Sequence, residues 1–254
     1  MNNQQHTRPH QSSSQPIMTA INFIRGLLVL ALIPLLIGLV SFIALLLAMF
    51  RGARGADLQF LPRWSGRTIC RASGVEVEII GGENLDPARP YIFAANHQSQ
   101  FDIFVLQGYL GFDFRWMAKK ELFSIPLFGW AMRRAGYIPV DRGHGRRALE
   151  SINEAAREIA AGTSVIIFPE GTRSPDGRVQ PFKSGAMVLA VKSAVEIVPM
   201  AIAGTHEILP KGKLLPRPGR VTIRLGQPIR AADYTLKQKQ QLAELLESRV
   251  RSLL

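Results

Sequence analysis

From Gly26 to Phe50 the chain carries no charge, and from Gly74 onward short apolar runs alternate with amphipathic stretches. The first pattern predicts one long apolar helix, which would extend about 37 Å against a hydrocarbon core of about 30 Å. The second predicts strands alternating with helices. Apolar or alternating runs at 75–80, 91–95, 114–117, 137–140, 164–168, 197–202 and 220–225 have strand character. Helical periodicity runs from about Gln100 and over 127–134, 146–160, 183–193 and 236–254. The expected fold class is therefore α/β, a mixed sheet flanked by helices, with an N-terminal membrane-anchoring helical segment. No internal repeat is visible.

Residues 1–18 are dominated by Gln, Asn, Ser and His and predict a disordered tail. Residues 19–52 form the expected anchor, and 75–254 the α/β domain. Between them, 53–74 mixes Leu58, Phe60, Leu61, Trp64 and Ile69 with Arg63, Arg67 and Arg71. That mixture suits either an interfacial amphipathic helix or a linking helix packed on the domain. Arg25 precedes the apolar run, while Arg51, Arg54, Arg63, Arg67 and Arg71 follow it, which places the bulk of the chain on the cytoplasmic side. A signal peptide is the alternative, but the run exceeds a usual signal core and its leader lacks a basic segment. Pro34 and Gly38 allow a bent helix, or two short helices dipping into one leaflet.

The formal net charge of +12 asks for an acidic partner. Neither a zinc-binding spacing, an aromatic RNA-binding block nor a basic arm is present, so no nucleic acid is expected. Beside an apolar anchor, an anionic lipid surface accounts for the charge at about 1 kcal/mol per nearby cation. A single cysteine, Cys70, excludes an internal disulfide and a cysteine-based metal cluster.

The chemistry concentrates at Asn96-His97-Gln98-Ser99-Gln100-Phe101-Asp102, between an apolar strand and the start of a helix. On a continuous helix, His97 and Asp102 would be separated by about 500° of rotation and point apart. If His97 lies in the turn and Asp102 in the first helical turn, the carboxylate can reach back to one imidazole nitrogen. The other nitrogen is then a general base for a hydroxyl. The plainer alternative is that Ser99 and Asp102 form a capping box and His97 is a solvated turn residue. Arg173 follows the strand at 164–168, where open α/β sheets place ligands, and its guanidinium fork suits a phosphate. Equally, Ser174-Pro175-Asp176-Gly177 is a turn, and Arg173 then a turn cation.

Gly143-His144-Gly145-Arg146-Arg147-Ala148 fits a dinucleotide fingerprint, but Asp141-Arg142 separates it from the preceding strand. The sequence contains no Gly-x-Ser-x-Gly, His-Glu-x-x-His or Walker loop, which argues against an elbow hydrolase, a zincin and a P-loop enzyme.

Four blocks occur in order: Asn96-His97 with Asp102, Gly136 to Asp141-Arg142, Phe168-Pro169-Glu170-Gly171-Thr172-Arg173-Ser174, and Ile197-Val198-Pro199-Met200-Ala201. Ala118-Lys119-Lys120-Glu121-Leu122 and Phe182-Lys183-Ser184-Gly185-Ala186 lie between them. Over about residues 75–230 the chain resembles the glycerolipid acyltransferases, specifically the 1-acyl-sn-glycerol-3-phosphate acyltransferases. The resemblance implies acyl transfer from acyl-CoA or acyl-ACP to the sn-2 hydroxyl of lysophosphatidic acid, with His97 and Asp102 as the catalytic pair. It implies that Lys120, Arg142, Glu170, Gly171, Thr172 and Arg173 line the acceptor site. Backbone N–H groups near the His97 turn would hold the oxyanion. Neither a metal nor a cofactor is expected beyond the acyl donor. The expected partners are lysophospholipid, acyl thioester, membrane lipid and an acyl carrier protein, at a bacterial inner membrane. The alternatives are acylation of another lysolipid, such as lyso-ornithine lipid, and a non-catalytic membrane-anchored lipid-binding protein.

Overall fold

The computed structural model describes residues 14–141 and 146–254. After the long helix α1 (Ser14–Arg51) come a 3-10 turn (Gly55–Leu58), α2 (Phe60–Ala72), β1 (Val75–Ile80), β2 (Ile92–Ala95) and α3 (Phe101–Tyr109). Then follow β3 (Arg115–Lys119), a 3-10 turn (Lys120–Ser124), α4 (Phe128–Arg134), β4 (Ile138–Val140), α5 (Arg146–Ala160) and β5 (Val165–Ile167). The last part holds α6 (Ser184–Ser193), β6 (Ile197–Ala203), α7 (Thr205–Ile208), β7 (Gly219–Leu225), two further 3-10 turns (Ala231–Asp233 and Leu236–Gln238) and α8 (Lys239–Ser252).

The seven strands form one sheet in the order β1-β7-β6-β2-β5-β3-β4. It is mixed: β6 and β7 pair antiparallel, with Ile202 opposite Ile223, and the other neighbours pair parallel. Parallel central strands need both faces covered, which explains their nearly continuous apolar runs. In β2, Phe93 and Ala95 join a core with Ile69 of α2 and Phe101, Val105 and Leu106 of α3. Ile92 and Ala94 face the opposite core, with Ile159 of α5, Met187 of α6 and Leu242 and Leu246 of α8. All of these are buried. Burying each large apolar side chain contributes about 1.5–3 kcal/mol, so this alternation fixes the register of β2.

Helix α1 is unbroken through Pro34 and Gly38, so of the two arrangements those residues allow, two separate short helices do not occur among the described residues. It begins at Ser14, inside the stretch read as a tail. A single stripe of it is buried. Val29 and Leu36 pack on the core of the α2 and α3 face, while Ala44, with Val40, Ile43 and Leu47, meets Leu58, Leu61 and Ala131. Leu28, Leu35, Phe42, Met49 and Phe50 point away from the protein.

Helix α2 packs on the domain through its glycine. A Cβ on Gly66 would sit 2.7 Å from the Phe104 carbonyl oxygen, and one on Gly108 would sit 2.9 Å from the Arg67 nitrogen. Two glycines face to face therefore let α2 and α3 approach more closely than larger residues allow. Helix α2 thus packs on the domain, with Phe60 and Trp64 exposed on its outer side.

Candidate active site

The carboxyl ends of three neighbouring parallel strands, β6, β2 and β5, build the site. Asn96 leaves β2 with its side-chain amide paired to the neighbouring strand β6. Its Nδ2 donates to the Ile202 carbonyl at 2.9 Å, and its Oδ1 accepts the Ile202 N–H at 2.8 Å. This substitutes for ladder bonds and sets the start of the turn. Ser99 is buried, its hydroxyl donating to the Leu209 carbonyl at 2.6 Å and accepting the Phe101 N–H at 3.0 Å. Helix α3 consequently starts at Phe101 with Gln100 at its cap. Only half of the expected capping box forms: Asp102 accepts the Ser99 N–H, while the Ser99 hydroxyl accepts the Phe101 N–H and not that of Asp102.

His97 lies in the turn and Asp102 in the first turn of α3. His97 Nδ1 and Asp102 Oδ2 are 2.7 Å apart. The same oxygen accepts the Gln98 N–H at 2.9 Å and the Ser99 N–H at 3.0 Å, and Asp102 is wholly buried. A carboxylate holding Nδ1 and two turn amides fixes both the ring tautomer and the ring's orientation. Phe168 supplies the floor, its ring stacked on the imidazole at 3.9 Å and 11°.

The Phe168–Ser174 loop closes over this turn from β5. The Ser174 N–H donates to the His97 carbonyl at 2.7 Å, and the His97 N–H donates to Glu170 Oε1 at 2.9 Å. Glu170 thus faces the His97 backbone, with a buried carboxylate whose Oε2 has no partner among the described residues. Burial pushes its carboxyl up to about 7. Gly171 and Thr172 are exposed at the loop tip, and Gly171 has φ +76°, a conformation that suits glycine. Arg173 is half-buried, and its carbonyl accepts from Lys211 Nζ at 2.9 Å. Lys120 sits at the end of β3, paired with Asp141 at 2.6 Å. Arg142 and the Gly143–Gly145 stretch lie outside the described residues.

Sequence reasoning missed three participants. Lys183 lies over Gly171, where a Cβ would meet its Nζ at 3.0 Å. Phe168 was quoted only as part of a block. Thr205, at the start of α7, donates to Asp102 Oδ1 at 2.5 Å. Of the backbone N–H groups near the turn, those of His97, Gln98 and Ser99 donate to carboxylates.

A family model described as Acyltransferase matches residues 76–203, which span the strands and both loops of this site. The chain belongs to the acyltransferase family. It is 41% identical over 150 residues to a 1-acyl-sn-glycerol-3-phosphate acyltransferase of Chlamydomonas reinhardtii, covering 58% of this chain and 45% of that one. It is 35% identical over 175 residues to a chloroplastic enzyme of the same name from Arabidopsis thaliana, covering 68% and 49%. The chain thus spans about half the length of these curated relatives. The crystal structure of the 1-acyl-sn-glycerophosphate (LPA) acyltransferase PlsC from Thermotoga maritima is similar with a TM-score of 0.77 at 26% identity, covering 92% of this chain and 96% of that one. The mixed sheet flanked by helices is the shared acyltransferase architecture.

Proposed function

We propose that this chain transfers an acyl group from acyl-CoA or acyl carrier protein to the sn-2 hydroxyl of lysophosphatidic acid, giving phosphatidic acid. The observation that carries the reading is the 2.7 Å contact between His97 Nδ1 and Asp102 Oδ2 beneath the Phe168–Ser174 loop. It leaves Nε2 to take the hydroxyl proton as the oxygen attacks the thioester carbonyl. The C–S bond then breaks, and the departing thiolate recovers that proton from the imidazolium. Asp102 stabilises the imidazolium in between, and no cofactor is needed. Direct attack is favoured over an acyl-enzyme. The Ser99 hydroxyl is committed to Leu209, and burial pushes the Cys70 thiol up to about 12, far from a usable thiolate.

The Arg173 guanidinium, Lys183 over Gly171 and Lys211 at the Arg173 carbonyl supply a cationic loop suited to a phosphomonoester. The relatives, named 1-acyl-sn-glycerol-3-phosphate acyltransferases, agree with that headgroup. Purified protein given a labelled acyl thioester and lysophosphatidic acid should form labelled phosphatidic acid. Failure with both CoA and carrier-protein donors would overturn the reading.

The chain is further proposed to work at a membrane surface, held by α1. Its most apolar part, with a mean hydropathy of 2.9, is only 22% buried, as expected of a lipid-facing helix rather than a core helix. Both halves of α1 are pinned to the domain, Gly26 near Leu215 and Pro216 and Ala44 near Leu58 and Ala131. A helix attached along its length cannot cross the bilayer while its domain stays in water. The geometry favours α1 lying in one leaflet with its outer face in the acyl chains. Orientation toward the cytoplasm rests on the flanking arginines.

A further inference from the structure

We propose that Thr205 is a positioning residue of this site, its hydroxyl holding the oxygen of Asp102 that His97 does not reach and so fixing the aim of the imidazole. The inference rests on the acyl-transfer reading for its consequence, and on geometry for its substance. Thr205 and Asp102 are both wholly buried, and Thr205 Oγ1 lies 2.5 Å from Asp102 Oδ1. The alternative acceptor, Gln98 Oε1, is at 3.4 Å, so the single hydroxyl proton belongs to Asp102.

The division of donors shows why this bond matters. Oδ2 accepts from the Gln98 and Ser99 amides and faces His97 Nδ1. Rotation about the Asp102 Cβ–Cγ bond is soft, and donors on one oxygen alone hold it weakly. A donor on Oδ1 anchors the second end, so the carboxylate plane cannot swing without breaking a bond in a dry site. Threonine suits the task, since its branched Cβ restricts the rotamer that aims the hydroxyl.

Thr205 opens α7, yet no side-chain capping bond is made at that helix start, and only its carbonyl serves the helix, accepting the Leu209 N–H. Placement at Asp102 is built by the preceding residue. Gly204 has φ +98°, and a Cβ there would overlap the Arg220 carbonyl, so the chain turns sharply at the end of β6 to bring Thr205 under Asp102.

The hydroxyl also disperses the carboxylate's charge. Without it, Asp102 should attract the imidazolium more strongly and raise the pH at which His97 becomes a free base. Two other titratable groups adjoin the turn. Glu170 accepts the His97 N–H, and His206 follows Thr205 with its ring against Gly177. A residue-specific readout therefore separates His97 from both.

The test uses the full chain in detergent with Thr205→Val and Thr205→Ser. Assayed with lysophosphatidic acid and a labelled acyl thioester, Thr205→Val should lose at least tenfold in kcat with KM for either substrate unchanged, and Thr205→Ser should keep more than half of the parent kcat. Titration of His97 by nitrogen-15 NMR should show its midpoint moved to higher pH in Thr205→Val and unmoved in Thr205→Ser. A parent-like kcat in Thr205→Val, a large loss in Thr205→Ser, or a His97 midpoint that does not move upward in Thr205→Val would each overturn the proposal. If the valine protein does not fold, a large loss in Thr205→Ser still overturns the proposal. Should the parent itself fail to acylate lysophosphatidic acid, the functional reading fails, while the NMR arm still judges Thr205.

Discussion

The Ser174 amide donates to the His97 carbonyl at 2.7 Å, and through that bond the loop after β5 and the turn after β2 become one structure. Glu170 adds a second tie, accepting the His97 N–H. One loop, 73 residues or more along the chain, thus holds both the N–H and the carbonyl of His97. The imidazole of His97 is positioned before any substrate arrives, which is the condition for effective general-base catalysis.

His97→Ala should lower kcat by about a hundredfold or more while leaving thermal stability close to the parent's, because the ring serves the reaction and is partly exposed. Asp102→Asn should also be slow and, in addition, less stable. An amide cannot accept from His97 Nδ1, Gln98 and Ser99 in the way the carboxylate does. Steady-state rates together with melting curves check both, and a brisk His97→Ala would remove the general base from the scheme.

Glu170 makes a prediction about pH. Its carboxyl is raised from the ordinary 4.5 to about 7 by burial, so the folded state binds the proton more tightly than the unfolded chain. The associated stability is complete below about pH 4.5 and is lost as the pH rises through 7. Glu170→Gln cannot titrate and keeps an oxygen for the His97 N–H. Its melting temperature should match the parent's near pH 5 and exceed it near pH 8, with activity largely kept. If the variant stays stable but loses turnover, the carboxylate must contact substrate, as the sequence resemblance alone implied.

Ser99→Ala should leave kcat intact and cost about 1–3 kcal/mol in denaturant unfolding, since the buried Leu209 carbonyl and the Phe101 amide both lose a partner. A folded but inactive Ser99→Ala would point instead to a serine nucleophile.

Local elements were largely legible. The helix expected over 146–160 is observed with those bounds, because its apolar and polar positions alternate at helical spacing and Gly162 follows it. Strand positions agree to within one or two residues. The order β1-β7-β6-β2-β5-β3-β4 was not legible, since pairing depends on contacts that no local period encodes. Thr205 was missed for the same reason. It is 103 residues from Asp102, and a threonine after a glycine carries no chemical mark until β6 is laid beside β2. The direction of Glu170 and the use of the turn amides were likewise beyond sequence, because both depend on how two loops meet.

Helix α1 separates a leaflet-bound from a spanning arrangement by labelling. Ala20→Cys and Arg51→Cys lie near opposite ends of the helix, and both positions are exposed. Cys70 is buried, its thiol pushed up to about 12, so it contributes little background. In sealed, oriented vesicles an impermeant thiol reagent should reach both new cysteines from one side. Labelling from opposite sides would show that α1 crosses the bilayer.

The acceptor is tested at Arg173. Its guanidinium, half-buried on the loop that holds His97, can grip a phosphomonoester with two parallel N–H bonds, whereas an ammonium offers a single point charge. Arg173→Lys keeps the charge and should still raise KM for lysophosphatidic acid by roughly tenfold, about 1.4 kcal/mol. Because the phosphate it would hold takes no part in the bond changes, kcat should change much less. Lys183 over Gly171 is the internal control: Lys183→Met removes a charge without touching the fork, and should weaken binding more at low salt than at high salt. Lysophosphatidylglycerol and lyso-ornithine lipid, offered in parallel with one acyl donor, should be slower substrates for the parent and less affected by Arg173→Lys. If either is turned over as fast as lysophosphatidic acid, the phosphomonoester assignment falls, and the base at His97 then acts on a broader set of lysolipid hydroxyls.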